Sequence, residues 1–334
     1  MGIISRLLGN EQTNSVQALL NQSRHLPPSA PHIVEGFLDY SPRHFFGPCS
    51  TSPNGRYAVA WLEGYDSGGR TGVGTGRSGR CLLFEDNRLL VEGSLERPND
   101  GKVADNGTFV LNDWEFGDGL KGTFYAFAKD GRPLIARKFK VNLFNNGLSP
   151  DGRFAVCQSV GADSPNGGTL TIFDLVQRTE IGCWCPQSPY ADYYEFTSNC
   201  EMLGMGYRKF GCFRYSFTGE FINREVWQDA WLTKGDYGET LAMVERLLKS
   251  IGGATPADLM PKLMQAIDRV SPMLVTADAR DQALALKLLG MCLENQGCLS
   301  EALAHYDKAL AINPKVGVKL RADRIRKALS SPLA

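Results

Sequence analysis

The sequence predicts a chain of two architectures, antiparallel sheet in front and paired helices behind, and three observations carry that prediction. Aromatics and glycines are concentrated ahead of residue 231: 30 of the 33 aromatics and 29 of the 36 glycines fall there. Aromatics with frequent Gly, Asn and Asp turns favour strands, whereas the Leu, Ala, Lys and Met of the last 104 residues favour helix. A turn-plus-strand unit recurs in the front part, and a helix-pair motif stands near the C-terminus.

At 334 residues the chain exceeds one comfortable core, and a density of about one domain per 150 residues makes two. The 36 basic and 36 acidic residues cancel, which argues against a broad electrostatic grip on nucleic acid or on an anionic membrane. A composition of 43% hydrophobic and 22% charged residues is that of a folded protein, not of a disordered tail. No apolar run approaches the roughly 20 residues of a bilayer span, and no export leader is visible. The expected location is the cytoplasm, with the nine cysteines kept as thiols, most of them buried.

Three segments follow in order. Residues 1–31 read as a helix over Ser15 to Arg24 and a stiff linker, because Leu26-Pro27-Pro28-Ser29-Ala30-Pro31 cannot continue a helix. Residues 32–230 form the β domain and 231–334 the helical one. Within the β domain, Ser52-Pro53-Asn54-Gly55-Arg56-Tyr57-Ala58-Val59 returns as Ser149-Pro150-Asp151-Gly152-Arg153-Phe154-Ala155-Val156. Weaker copies stand at Ala104 to Val110 and Thr197 to Leu203. With Asn54, Asn106, Asp151 and Asn199 as markers, the spacings are 52, 45 and 48 residues. A repeat of that length, with Asn-Gly or Asp-Gly between short apolar strands, suits a four-stranded propeller blade.

Each unit continues into an alternating strand: Cys81 to Glu85, Thr123 to Ala128, Leu170 to Asp174 and Cys212 to Phe217. Alternation leaves one face of each strand apolar, to be buried by stacking unit on unit. Over roughly residues 33–228 these units resemble the blades of WD-repeat-like and TolB-like propellers. Phe173-Asp174 stands where a Trp-Asp pair would close a blade. The resemblance implies a β-propeller-like array of about four antiparallel blades, its ring either completed by a strand from residues 32–40 or left open.

The helical part carries the clearest motif. Leu286, Leu289, Gly290, Leu293, Gly297, Ala302, Tyr306, Ala309 and Pro314 resemble one tetratricopeptide repeat at nearly all its signature places. Small residues at Gly290, Ala302 and Ala309 let two antiparallel helices approach, with Leu289, Leu293 and Tyr306 between them. One repeat cannot bury its faces alone, so neighbours are expected over about 235–330. Gly235 to Leu241 opens a helix reaching Ser250. Thr255-Pro256 starts another towards Val270, which Pro261 must kink or shift. A last helix with Lys319, Arg321, Arg324, Arg326 and Lys327 reads as a capping helix with a polar, solvated outer face, the alternative being a basic docking surface.

Chemistry is sparse. The loop from Gly68 to Arg80 contains G-x-G-x-x-G at Gly74, Gly76 and Gly79, but a strand follows it where a phosphate site needs a helix N-terminus. It reads as a hairpin loop whose Arg70, Arg77 and Arg80 are candidate partner contacts. The four histidines, His25, His32, His44 and His305, are too few and too scattered for a metal or general-base site. Cys183 and Cys185 read as buried core cysteines. Glu63, Asp113, Glu115, Asp163 and Glu195 are the acids that a glycan-processing or hydrolytic propeller would pair.

Both resemblances imply families that hold other proteins, so the expected function is a non-enzymatic adaptor or scaffold with a protein partner, no nucleic acid, no membrane and no cofactor. An immunity-like inhibitor and a propeller enzyme are the alternatives. The resemblance places the groove-facing positions of the repeat at Leu284, Lys287, Met291, Glu294 and Asn295. Lys287 would suit a carboxylate clamp, but Met291 stands where Asn is required, so chaperone-tail binding is not expected.

Overall fold

The computed structural model describes residues 30–64, 78–115, 121–161, 167–197, 201–251 and 258–330. The chain divides into two units after Ile222. The compositional step at 231 falls inside the first helix of the second unit, because Trp227 and Trp231 are core residues of that helix and carry the aromatic signal past the last strand. The expected helix and linker over residues 1–31 lie almost wholly outside the described residues.

The first unit consists of four antiparallel sheets taken in chain order, and none of them closes on itself. Sheet 1 orders six strands: β1 (His32–Val34), β2 (Phe37–Tyr40), β3 (Phe45–Thr51), β4 (Tyr57–Leu62), β5 (Gly79–Glu85) and β6 (Arg88–Leu95). Sheet 2 holds β7 (Pro98–Val103), β8 (Phe109–Trp114), β9 (Gly122–Phe127) and β10 (Pro133–Phe139). Sheet 3 holds β11 (Leu143–Leu148), β12 (Phe154–Ser159), β13 (Leu170–Asp174) and β14 (Thr179–Trp184). Sheet 4 has β15 (Tyr193–Phe196), β16 (Met202–Tyr207) and β17 (Gly211–Ser216), with a fourth strand reduced to a bridge between Tyr215 and Phe221.

The repeated sequence is a repeated hydrogen-bond pattern. Ser52 Oγ accepts from the Tyr57 amide at 3.0 Å and donates to Asn54 Oδ1 at 2.7 Å, and that oxygen also accepts from the Arg56 amide. Ser149, Asp151, Arg153 and Phe154 repeat each bond. Gly55 and Gly152 both sit at φ +73°, where a side chain is strained. The turns also join the sheets: the Asn54 amide donates to Asp105 Oδ1 at 2.8 Å, and Asn106 Nδ2 donates to the Asp151 carbonyl at 2.7 Å. Asn199 of the fourth copy lies outside the described residues.

The expected one-sided alternation does not hold for the middle strands. In β4, Tyr57, Val59 and Trp61 pack towards sheet 2, while Ala58 and Ala60 pack on the opposite face with Leu38, Phe45, Leu82 and Phe84. Sheets that are covered on both faces need strands apolar on both faces, which the near-continuous Tyr-Ala-Val-Ala-Trp-Leu already contains. The two ends of the stack differ. The outer face of sheet 1 is covered by the β1–β2 hairpin through Leu38 and Tyr40. On the outer face of sheet 4, Gly204 and Gly206 lie flat beside exposed Tyr193, Glu195 and Arg214. Residues 32–40 therefore add to the first sheet as its first two strands.

The second unit contains six described helices: α1 (Arg224–Lys234), α2 (Tyr237–Ser250), α3 (Leu259–Leu274), α4 (Ala279–Asn295), α5 (Leu299–Ile312) and α6 (Lys319–Ser330). Asp236 and Glu239 close a reciprocal capping box on α2, which fixes its start. The expected start of α3 at Thr255-Pro256 lies outside the described residues; the helix is described from Leu259, and Pro261 falls in its first turn, where a missing N–H costs nothing. The helix also runs past Val270 to Leu274, with Pro272 in its last turn.

Candidate functional site

Helix α4 is the centre of the helical unit, and from Asp281 to Glu294 no residue on it is fully exposed. Its start is fixed by Asp278, whose side chain accepts the Asp281 amide at 2.9 Å. Ala283, Ala285, Leu288 and Cys292 face the core, and burial pushes the Cys292 thiol up to about 12. Gly290 touches Tyr306 of α5: a methyl group there would stand 2.5 Å from the ring. Small residue against large ring brings α4 and α5 together, as the motif requires.

Of the five expected groove positions, Leu284, Lys287, Met291 and Glu294 are half-exposed and Asn295 is exposed, and their partners differ. Lys287 Nζ lies 3.3 Å from Glu245 Oε1 of α2, and Lys249 lies 3.3 Å from the other oxygen, Oε2. Burial raises the Glu245 carboxyl, but its hydrogen bonds to the two lysines outweigh this and hold it below the usual range. Leu284 is half-exposed, and Met291 packs beside Leu293, Tyr306 and Val318. Asn295 turns its amide back to the Met291 carbonyl at 2.8 Å.

Glu294 is the junction of three helices. Its Oε2 accepts the Tyr306 phenol at 2.6 Å and Arg321 at 2.9 Å, and its Oε1 meets Arg324. Burial alone would raise this carboxyl, yet the three donors bring it below the ordinary value. The Tyr306 phenol is raised, first by burial and then by its bond to Glu294. Sequence reading placed Arg321 and Arg324 on a solvated face. It missed Glu245 and the ties to Glu294, because contacts between helices 27 and 30 residues apart leave no periodic signal.

Of the expected arginines, Arg70 and Arg77 lie outside the described residues. Arg80 on β5 donates to the Arg43 carbonyl at 3.0 Å and to Glu92 at 2.6 Å, and stacks over Phe45. It borders a cavity of about 350 Å³ with Arg43, His44, Leu62, Glu63, Gly64 and Ser78. The structure does not place Arg80 with the groove residues in one unit.

The acids considered for an enzyme are engaged separately. Glu63 pairs with Arg97, Glu115 accepts from Thr123 Oγ1 at 3.0 Å, and Glu195 neighbours Cys212, whose thiol burial and that carboxylate push up to about 12. Asp113 is 3% exposed, and its oxygens accept the Arg97 and Glu96 amides at 2.6 and 3.2 Å. Burial pushes it up to about 6, with those amides pulling back. Asp163 lies outside the described residues. Cys183 and Cys185 are exposed, which corrects their reading as core residues. The intervening Trp184 takes the inward side of edge strand β14 and stacks on Tyr215.

Among the described residues, no helix is long and apolar enough to cross a membrane and no group of three or more His, Cys, Asp and Glu is arranged to hold a metal. No curated protein matches the chain in sequence. The stretch that builds the strip and its supporting hairpin, residues 283–316, is matched by the family model of the tetratricopeptide repeat.

Proposed function

We propose that this protein is a non-enzymatic adaptor that captures a partner protein on the strip of α4 bearing Leu284, Lys287 and Met291. The observation that carries the reading is the tetratricopeptide repeat match at 283–316, a unit that generally mediates protein–protein interaction. The strip also has the anatomy of an interface: half-exposed apolar residues, Leu284 and Met291, flanked by a lysine anchored by Glu245. Preordered side chains lose less entropy when a partner arrives.

The β unit, on this reading, is an open propeller-like array whose four sheets act as blades. Four antiparallel sheets in chain order and the repeated turn support it. The hairpin over sheet 1 and the polar outer face of sheet 4 favour an arc over a ring, since closure would bury Glu195 and Arg214. The separate engagement of Glu63, Glu115 and Asp113 favours binding over hydrolysis. A reducing cytoplasm suits the eight described cysteines, all of them free thiols.

Quantitative affinity purification tests the proposal. The wild-type chain should recover a protein that the Lys287→Ala, Met291→Ala double variant recovers at least about tenfold less, as expected for an interface hot spot. Equal recovery by both chains, with both folded, would remove α4 as the partner site.

A further inference from the structure

Helix α6 carries five basic residues and one acidic residue in twelve. Arg326 is matched within the chain by Asp307 at 2.8 Å and Asp323 at 2.7 Å. Arg321 and Arg324 instead divide one carboxylate between them, each bonded to a different oxygen of Glu294. Two positive charges therefore meet one negative charge. The Glu294 side chain is 13% exposed, whereas Arg321 is 43% and Arg324 69% exposed, so the neutralising group is sunk and the guanidinium groups face outward. The Tyr306 phenol holds the glutamate from behind.

Next to this pair stands Leu320, 87% exposed, one helical turn before Arg324 and on the side away from the buried Ala322 and Ile325. A leucine in that setting leaves apolar surface uncovered beside unbalanced cations.

We propose that Arg321 and Arg324, held by Glu294, form a socket for a carboxylate side chain of an acidic partner segment, with Leu320 receiving an apolar side chain next to it. The inference rests on the adaptor reading and gives the partner its chemistry. Charge complementarity selects the occupant: one more carboxylate balances the cluster. An arginine presents several N–H donors in a rigid fork, so donors remain on both residues after Glu294 is bound. Preorientation by a sunk anion lowers the entropic cost of binding a second one. A single leucine is too little apolar area to enter a bilayer, and two arginines neutralise too few phosphates to hold a duplex.

The test uses the full chain and two fluorescein-labelled peptides, acetyl-Ser-Glu-Glu-Leu-Glu-Glu-Ser-amide and its counterpart with every Glu replaced by Gln. Anisotropy should show binding of the acidic peptide only, weakening at least about fivefold between roughly 50 and 300 mM salt. Arg324→Gln should weaken it about tenfold and Leu320→Ser about threefold, while Arg326→Gln, whose partners are internal, should change it less than about twofold. Arg324 is exposed enough for its variant to fold, which a melting curve checks. Equal binding of the two peptides, or binding indifferent to Arg324→Gln, overturns the proposal. So does Arg324-dependent binding to phosphatidylserine vesicles or duplex DNA that exceeds binding to the peptide. If the acidic peptide fails while a partner is still recovered through Lys287 and Met291, the socket falls and the adaptor reading stands. Peptide binding without any α4-dependent partner upholds the socket and removes the α4 strip.

Discussion

The phenol of Tyr306 on α5 donates to Glu294 on α4 at 2.6 Å, and the same carboxylate oxygen accepts Arg321 of α6 at 2.9 Å. One half-buried glutamate thus joins three successive helices. Glu294→Ala leaves the phenol and two guanidinium groups without their acceptor, and should lower stability by about 2 kcal/mol. Glu294→Gln should cost about 1 kcal/mol, since the amide oxygen still accepts. The Glu294 and Glu245 carboxyls are held below their ordinary values, so their stabilisation is present above the unfolded carboxylate value of about 4.3 and is lost as pH falls through the folded values. Urea titrations of both variants at neutral and acid pH check the two statements.

Gly290→Ala sets two effects against each other. Alanine favours a helix over glycine by about 1 kcal/mol, but its methyl would stand 2.5 Å from the Tyr306 ring and 3.2 Å from the Ala302 carbonyl. Overpacking of this kind costs about 1–3 kcal/mol, so the variant should be destabilised. Calorimetry should show the loss in the helical unit, and a raised melting temperature would contradict the close packing of α4 and α5.

In the repeated turn, Ser149→Ala removes the acceptor of the Phe154 amide and the donor to Asp151 Oδ1. The expected loss is about 1 kcal/mol. Ala104 stands at the same place in the second copy, so the turn itself survives without the hydroxyl and the loss should be one of stability, not of folding. Denaturant midpoints of the variant and wild type measure it.

Asp113 carries a pH dependence of opposite sign to that of Glu294. Its folded value of about 6 lies above the unfolded carboxylate value, so the native state binds the extra proton between about pH 4 and 6. Stability should therefore fall by about 2–3 kcal/mol as pH rises through that window, and stay level above it. Asp113→Asn should flatten this slope relative to wild type, although one of the two amide bonds is lost with it. A slope unchanged by the substitution would show that Asp113 is already ionised at pH 5.

The two units should fold apart. A chain ending at Ile222 should give the circular dichroism of sheet, and one starting at Asn223 that of helix, each with a cooperative melt. Fragments that unfold without each other would mean a shared core.

Turn chemistry and helix packing were legible because both are local. Asn54-Gly55 and Asp151-Gly152 each need a left-handed glycine, and Gly290 with Ala302 and Tyr306 spells a helix hairpin within 34 residues. Where neighbours are distant, reading failed. Cys183 and Cys185 look like core residues, yet β14 is an edge strand and only Trp184 points inward.

The order of sheet and then helix, the recurring turns and the α4–α5 hairpin belong to the sequence itself, since each depends on residues within one or two elements. Folding in three dimensions decided which faces are covered and which charges meet. Leu38 packs over one face of the first sheet, Arg214 leaves the fourth one polar, and Glu294 gathers Tyr306, Arg321 and Arg324. Burial and pairing depend on what else occupies the space around a residue, and chain order does not encode that distance.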